Sequence, residues 1–138
     1  FSLIGKDQSV GDPNRLRVPL DEGTMVIAAH ACSYGLMLHE KFLPTLRELA
    51  GRYRGFYADV SALTLPNRFR MLLHLRKHPA LHPRLLFGTD YPLPVFRFPA
   101  WGRGGSRTRN RFDRQVTVCR ALGVGFGSLG DILPRAGA

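Results

Sequence analysis

Short apolar runs alternate along the chain with longer segments in which apolar residues recur every three or four positions. The runs at 25–29, 56–60 and 85–88 are bounded by glycine or polar residues, which is typical of buried strands. The segments 41–53 and 67–77 carry apolar residues at helical spacing, which predicts helices that cover a sheet with one face. Strands that alternate with helices indicate βαβ units, and therefore an α/β fold with a parallel sheet.

Capping residues predict where several helices begin and end. Asp12 and Pro13 are suited to open a short helix, and Gly23 is suited to end it. Asn67 is expected to cap the helix that follows it. A last helix is predicted over 112–122, with a glycine directly after its end.

Two ionisable side chains follow directly on predicted strands. His30 comes after the run 25–29, and Asp90 comes shortly after the run 85–88. Because the carboxyl ends of parallel strands meet at one edge of a sheet, we expect the two side chains to converge there. Imidazole and carboxylate groups serve as general bases and metal ligands near neutral pH. The pair predicts a metal-assisted enzyme site, although each residue alone is also compatible with a structural role.

Residues near these two positions are expected to support the same edge. Strand alternation places Tyr57, Asp59 and Ser61 on one side of the run 56–60. There Asp59 would at most contact the site residues, without itself binding a ligand. Gly88, which precedes Asp90 by two positions, would allow a ligand or another chain segment to approach closely.

Other candidate motifs are weaker. His74, His78 and His82 are spaced four apart, but Pro79 and Pro83 prevent the continuous helix that would align them as metal ligands. The stretch 102–107 resembles a phosphate-binding loop only in composition, since no apolar strand precedes it.

Composition and charge narrow the class of protein. The 138 residues are 44% hydrophobic and carry a net charge of +10, which suits one globular domain with a substantial core. No apolar stretch is long enough for a membrane span, so we expect no membrane partner. Cys32 and Cys119 match no metal-binding spacing, so we interpret them as reduced thiols and expect a cytoplasmic protein. The arginines, densest over 97–114, suggest an anionic partner, but they are spread along the chain and we do not expect nucleic acid.

Three stretches together resemble the amidohydrolase superfamily, and within it the amidohydrolase-related barrels that include aminocarboxymuconate-semialdehyde decarboxylase. The stretches are Val-Ile-Ala-Ala-His at 26–30, Phe-Tyr-Ala-Asp-Val-Ser at 56–61, and Arg-Leu-Leu-Phe-Gly-Thr-Asp-Tyr-Pro at 84–92. In order and spacing they look like strands six, seven and eight of a (β/α)₈ barrel. The resemblance covers roughly residues 1–124, the carboxyl-terminal half of such a barrel.

The resemblance implies a particular fold and site. The fold would be a partial (β/α)₈ TIM barrel with three to four parallel strands, corresponding to strands 5–8. The cofactor would be a divalent metal, commonly zinc, at the mouth of the barrel. His30 would be a base or substrate-polarising group, and Asp90 would bind the metal and assist proton transfer. His30 and Asp90 are thus the expected catalytic residues and the expected metal ligands.

Departures from the family pattern limit what this chain is expected to do. The first-strand His-x-His pair is absent, and the strand-five histidine would fall at Leu3 or Ile4, neither of which binds metal. A full barrel needs roughly 250 residues. We therefore expect one partial-barrel domain over 1–138, with a barrel segment over 1–124 and a flexible tail over 125–138.

The functional expectation follows from that incomplete site. It is a fragment of a metal-dependent hydrolase or decarboxylase for a small carboxylated or lactone-like substrate, weakly active or inactive alone. Uncovered strand edges would favour a homo-oligomer or pairing with a missing amino-terminal half. The alternative is a non-enzymatic basic module that binds nucleic acid or another anionic partner.

Overall fold

A computed structural model describes residues 11–35, 39–96 and 110–133 of the chain. Three strands and four α-helices lie in these ranges. The strands are β1 (Val26–Ala28), β2 (Phe56–Asp59) and β3 (Leu85–Leu86), and the helices are α1 (Arg17–Asp21), α2 (Leu43–Arg52), α3 (Phe69–Lys77) and α4 (Arg111–Ala121). Short 3₁₀ segments are Pro13–Leu16, Pro79–Arg84 and Leu129–Asp131. The expected strand at the start of the chain, the stretch 102–107 and the last five residues lie outside the described ranges.

The strands form one parallel sheet in the order β1-β2-β3. Val26 is level with Phe56, and Asp59 is level with Leu86. The predicted α/β class and parallel sheet are therefore confirmed, although the strands are shorter than the apolar runs that predicted them. Because all three strands point the same way, their carboxyl ends share one edge of the sheet.

Beyond α4 the chain returns to the free side of β3. Gly127 N donates a hydrogen bond to Leu85 O at 2.8 Å, and Phe87 N donates one to Gly127 O at 2.8 Å. Phe126 packs against the core, with its ring 5.8 Å from that of Phe87. Residues 125–133, which we assigned to the tail, thus contribute a parallel bridge to the sheet.

Local sequence explains most helix boundaries. The Asp12 side chain accepts a hydrogen bond from Asn14 N at 2.9 Å and opens the first helical turn, as predicted. Gly23 has a φ of 79°, the left-handed conformation that ends a helix at little cost in glycine. The cap predicted at Asn67 is wrong. The residue at the N-cap of α3 is Arg68, which makes no side-chain cap hydrogen bond, while the Asn67 amide donates to Gly35 O at 3.2 Å.

The core lies between the sheet and the helices that cover it. Phe56, Ala58 and Val60 are fully buried, while Tyr57 and Asp59 on the opposite side are half-buried, as the alternation of β2 predicted. Helices contribute further fully buried side chains, which include Leu46, Leu49, Met71, Leu72, Leu75 and Val118. Both cysteines are free and buried. None of the helices within 11–35, 39–96 and 110–133 is both long and apolar enough to cross a bilayer.

Candidate active site at the carboxyl edge of the sheet

His30 lies in a tight turn, Ala29–Cys32, that follows β1. His30, Ala31 and Cys32 have φ values of 55°, 49° and 58°, a left-handed conformation that costs residues with a Cβ roughly 1–2 kcal/mol each. Burial of Ala31 and a hydrogen bond from His30 N to Asp59 Oδ1, at 3.0 Å, hold the turn in place. Strained backbone of this kind is concentrated at functional sites, because it can point a side chain in a direction that a regular helix or strand does not allow.

Ser61 determines which nitrogen of His30 carries the proton. His30 Nδ1 lies 2.8 Å from Ser61 Oγ and 3.2 Å from Ser61 O. The carbonyl oxygen only accepts hydrogen bonds, and the Ser61 hydroxyl donates its proton to Asp59 Oδ1. Nδ1 must therefore be the donor, which leaves a lone pair on Nε2 of the neutral ring.

Asp90 faces that lone pair from the carboxyl end of β3. Its Oδ2 atom lies 3.6 Å from His30 Nε2, and the two side chains are 34% and 13% exposed respectively. Asp90 also has a left-handed backbone, with a φ of 52°. The structure thus brings the two predicted residues together at one edge of the sheet. Two electron-pair donors that face each other at this distance are suited to share a proton or a metal cation.

Asp59 organises the site from the end of β2. Its Oδ1 atom accepts hydrogen bonds from His30 N and Ser61 N, both at 3.0 Å, and from the Ser61 hydroxyl. One carboxylate therefore holds both the turn that carries His30 and the serine that orients the imidazole. This is the supporting position that strand alternation indicated for Asp59.

Gly88 packs against the same group of side chains. A Cβ atom at this position would lie 3.0 Å from Asp59 Cβ and 3.2 Å from Ser61 Cβ. Such contacts are closer than the roughly 3.5–4.0 Å of ordinary packing. The expected close approach at Gly88 is confirmed, and the approaching segment is the end of β2.

Gln115 ties the ends of β2 and β3 together from helix α4. Its Nε2 atom donates to Val60 O at 2.8 Å and to Gly88 O at 2.6 Å, and the side chain is 1% exposed. Both amide protons are thus used on the two strand ends that lead to Ser61 and Asp90. The buried amide of Gln115 therefore links the segment that leads to Ser61 with the segment that leads to Asp90.

A buried cation lies behind the site. Arg68 is 4% exposed, donates to Ser33 O at 3.2 Å, and interacts electrostatically with Asp90, Glu40 and Asp59. Burial lowers the pKa of Arg68 and raises the pKa of Glu40. Burial also lowers the pKa of His30, and Arg68 adds to that effect against the opposing influence of Asp59 and Asp90. The neutral imidazole, with its free Nε2 lone pair, is therefore favoured near neutral pH.

A pocket of about 240 Å³ opens beside His30. It lies between the carboxyl end of β1 and the first helical turn of the described chain. Its lining includes Asp12, Arg15, Ala29, His30, Ser33 and Tyr34. A small polar molecule in this pocket would therefore contact a carboxylate, a guanidinium and the imidazole-bearing turn.

A divalent metal fits this edge in part. Two donors bound to one zinc ion at ordinary bond lengths lie roughly 3.3 Å apart, close to the 3.6 Å between His30 Nε2 and Asp90 Oδ2. Nδ1 is hydrogen-bonded to Ser61, and metal-binding histidines commonly make such a hydrogen bond with the ring nitrogen that does not bind the metal. However, residues 11–35, 39–96 and 110–133 contain no group of three or more histidine, cysteine or carboxylate side chains placed to hold a metal. A zinc site needs at least one further ligand.

Three site residues could not be located from the sequence. Ser61 had a weak signal, because alternation placed it on the same side as Asp59, but no sequence feature marks Arg68, directly before α3, or Gln115 on α4. The histidines at 74, 78 and 82 do not form a cluster. His78 Nδ1 lies 2.8 Å from His74 O, and His82 Nε2 lies 3.0 Å from Leu75 O, so both rings are engaged with backbone.

Comparisons with known proteins were negative: no family model, no curated protein and no solved structure matches the chain.

Proposed function

We propose that this chain carries part of the active site of a metal-dependent hydrolase or decarboxylase of the amidohydrolase superfamily. In this proposal β1, β2 and β3 correspond to strands six to eight of a (β/α)₈ barrel, and the substrate is a small carboxylated or lactone-like molecule. The observation that carries the proposal is the approach of His30 Nε2 to Asp90 Oδ2, at 3.6 Å, from the carboxyl ends of two parallel strands.

The residues of the chain have distinct roles in the proposed reaction. His30 supplies a basic Nε2, since Ser61 keeps the proton on Nδ1. Asp90 supplies a carboxylate to bind a cation and to receive or return a proton at Oδ2. Asp59 and Ser61 are positioning residues, because they touch the imidazole and its turn but not the space between Nε2 and Oδ2. A divalent metal, when bound between His30 and Asp90, would lower the pKa of water or polarise a substrate oxygen.

The edge of the sheet supports the partial-barrel proposal. Within the described ranges β1 pairs with β2 on one side and with no strand on the other. Met25, directly before this strand, and Ile27 on it are each 40% exposed, so apolar surface is available there for another element to cover. We propose that a second copy or an amino-terminal barrel half packs there. Sedimentation across a concentration series tests the second copy, and a monomer at all concentrations would leave only the barrel half.

A zinc titration tests the proposed site. Two donors from the described residues predict weak, saturable binding that shifts the NMR signals of the His30 ring. His30→Asn and Asp90→Asn should each abolish saturable zinc binding in calorimetry, and Asp90→Asn should also abolish the shift of the His30 ring, while His39→Asn, at an exposed histidine, is the matched control and should retain both. Zinc binding that both site variants retain would refute the site. Tight, stoichiometric zinc in this chain alone would contradict the view that the site is incomplete.

Activity is tested separately with zinc present. We expect little or no turnover of lactones or of small carboxylic acids that could lose carbon dioxide, since the described ligand set is incomplete. Turnover that depends on both His30 and Asp90 would establish the enzyme class directly. Turnover that survives both substitutions would show that the reaction occurs elsewhere.

A further inference from the structure

A second pocket, of about 380 Å³, lies between the segment that follows β3 and the start of α4. Its apolar walls are Tyr91, Leu93, Val95 and Phe112, and its charged residues are Arg111 and Arg114. The volume falls within the range typical of small-molecule sites, about 300–1,000 Å³. A mostly apolar pocket with two cations calls for a ligand that has an apolar body and an anionic end.

Arg114 lines this pocket and carries one donor that has no acceptor among the described residues. Its Nη1 atom donates to Val95 O at 3.3 Å, but its Nε atom is buried and has no hydrogen-bond partner in the part of the chain that the structure describes. A buried N–H group without an acceptor is costly, and it is costlier on a charged group. An incoming acceptor atom would remove this penalty.

Arg111 adds a second positive charge, and no carboxylate of the described residues forms an ion pair with it. Its guanidinium stacks on the Tyr91 ring at 5.7 Å and donates to Pro92 O at 2.7 Å. The nearby Asp113 carboxylate accepts instead from the Asn110 amide at 2.6 Å. Among residues 11–35, 39–96 and 110–133, neither Arg111 nor Arg114 takes part in an ion pair.

We propose that this pocket binds a small organic carboxylate with a planar apolar body, such as an aromatic monocarboxylate. The carboxylate would accept hydrogen bonds from Arg114 Nε and from a neighbouring guanidinium nitrogen, since the side of a guanidinium matches both oxygens of a carboxylate. The ring would lie among Tyr91, Leu93 and Phe112. This goes beyond the proposed function, because it requires neither a metal nor a reaction at His30 and Asp90.

Titration of the full chain with benzoate, followed by calorimetry and by NMR, tests the pocket. Benzoate should bind saturably and shift the signals of residues around the pocket. Benzamide, which has the same ring without the charge, should bind at least about tenfold more weakly, as expected for loss of a charge-assisted hydrogen bond. Inorganic phosphate, which lacks the apolar body, should compete poorly.

Variants identify the residue responsible. Arg114→Met keeps an unbranched apolar stem but removes the charge and the donors, and it should weaken benzoate binding about tenfold or more. Arg120→Met removes an equal charge from an exposed position of the same helix and should leave binding unchanged. Arg114→Lys keeps the charge without the Nε–H group, and should also weaken binding, so the test survives if Arg114→Met fails to fold.

Several outcomes would overturn the proposal. These are equal affinity for benzoate and benzamide, equal binding by the wild type and both Arg114 variants, or phosphate that displaces benzoate at lower concentration. Binding of a short DNA duplex in place of benzoate, with a steep dependence on salt, would overturn it in favour of a polyanion surface. Unchanged benzoate binding by His30→Asn would separate this pocket from the proposed metal site, whichever way the zinc experiment ends.

Discussion

Replacement of Gly88 by alanine should disturb the candidate site without adding any polar group. The new Cβ would lie 3.0 Å from Asp59 Cβ, 3.1 Å from Asp59 Cγ and 3.2 Å from Ser61 Cβ. Relief of these contacts requires the β2 end to move by several tenths of an ångström. Because Asp59 and Ser61 hold the imidazole of His30, that movement should loosen the orientation of the ring.

Two opposing effects determine how far Gly88→Ala lowers the free energy of unfolding. Overpacking typically costs about 1–3 kcal/mol. Replacement of glycine restricts the unfolded chain and returns about 0.4–1 kcal/mol. The net loss should be about 1–2 kcal/mol, to be measured by urea unfolding followed by far-UV circular dichroism. In the same variant, ¹⁵N shifts of the His30 ring should move toward a mixture of tautomers.

Gly51→Ala is the matched control. Gly51 lies within helix α2, and a Cβ there would have no atom within 4 Å. Alanine should therefore stabilise the protein by about 0.5–1 kcal/mol through its higher helix propensity. A Gly88→Ala protein as stable as the wild type, with the His30 ring signals unchanged, would refute the argument that the end of β2 packs too closely for a side chain.

Three further results follow from the same structure. Gln115→Met should lower the free energy of unfolding by about 2 kcal/mol or more, since a buried carbonyl at Val60 and a half-buried one at Gly88 lose their donor, and Arg120→Met should cause no such loss. Because burial lowers the pKa of His30, the unfolded chain binds its proton more readily than the folded one. In metal-free buffer, the free energy of unfolding should therefore fall as the pH drops from about 6.5 through the pKa of His30 in the folded protein. In His30→Asn, urea unfolding should show a weaker dependence on pH over this range. An equal pH dependence in both proteins would contradict this account. Burial raises the thiol pKa values of Cys32 and Cys119 to about 12, so alkylation at pH 8, followed by mass spectrometry, should be slow until urea is added. Rapid labelling of the folded protein at Cys119, which is fully buried, would be inconsistent with the core as described.

Much of the fold could be predicted because it depends on neighbours along the chain. Alternation in β2, the helical spacing of α2 and the cap at Asp12 are local patterns, and the structure contains each of them. Strand ends were less predictable. The run at 25–29 is longer than β1, because the turn Ala29–Cys32 begins before the apolar residues end. The run at 85–88 is also longer than β3, which ends at Leu86.

Only the site residues that follow a strand along the chain could be predicted. His30 and Asp90 follow apolar runs, so the topology of a parallel sheet was enough to place them at one edge. Arg68 reaches that edge from the position directly before α3, and Gln115 reaches it from α4. Packing decides which side of a helix faces the sheet, and nothing within a few residues of either position distinguishes it from other polar residues nearby.

The order of apolar and polar residues alone determined the α/β class, the parallel sheet and the edge where His30 and Asp90 lie, because periodicity and strand direction are properties of the local chain. The tertiary structure decided the separation of Nε2 and Oδ2, the tautomer of His30, and the contacts of Asp59, Ser61 and Gln115. These depend on atoms that lie up to 60 positions apart in the sequence, as those of His30 and Asp90 do. Side-chain geometry across such separations is set by how the elements pack, and local pattern does not encode it.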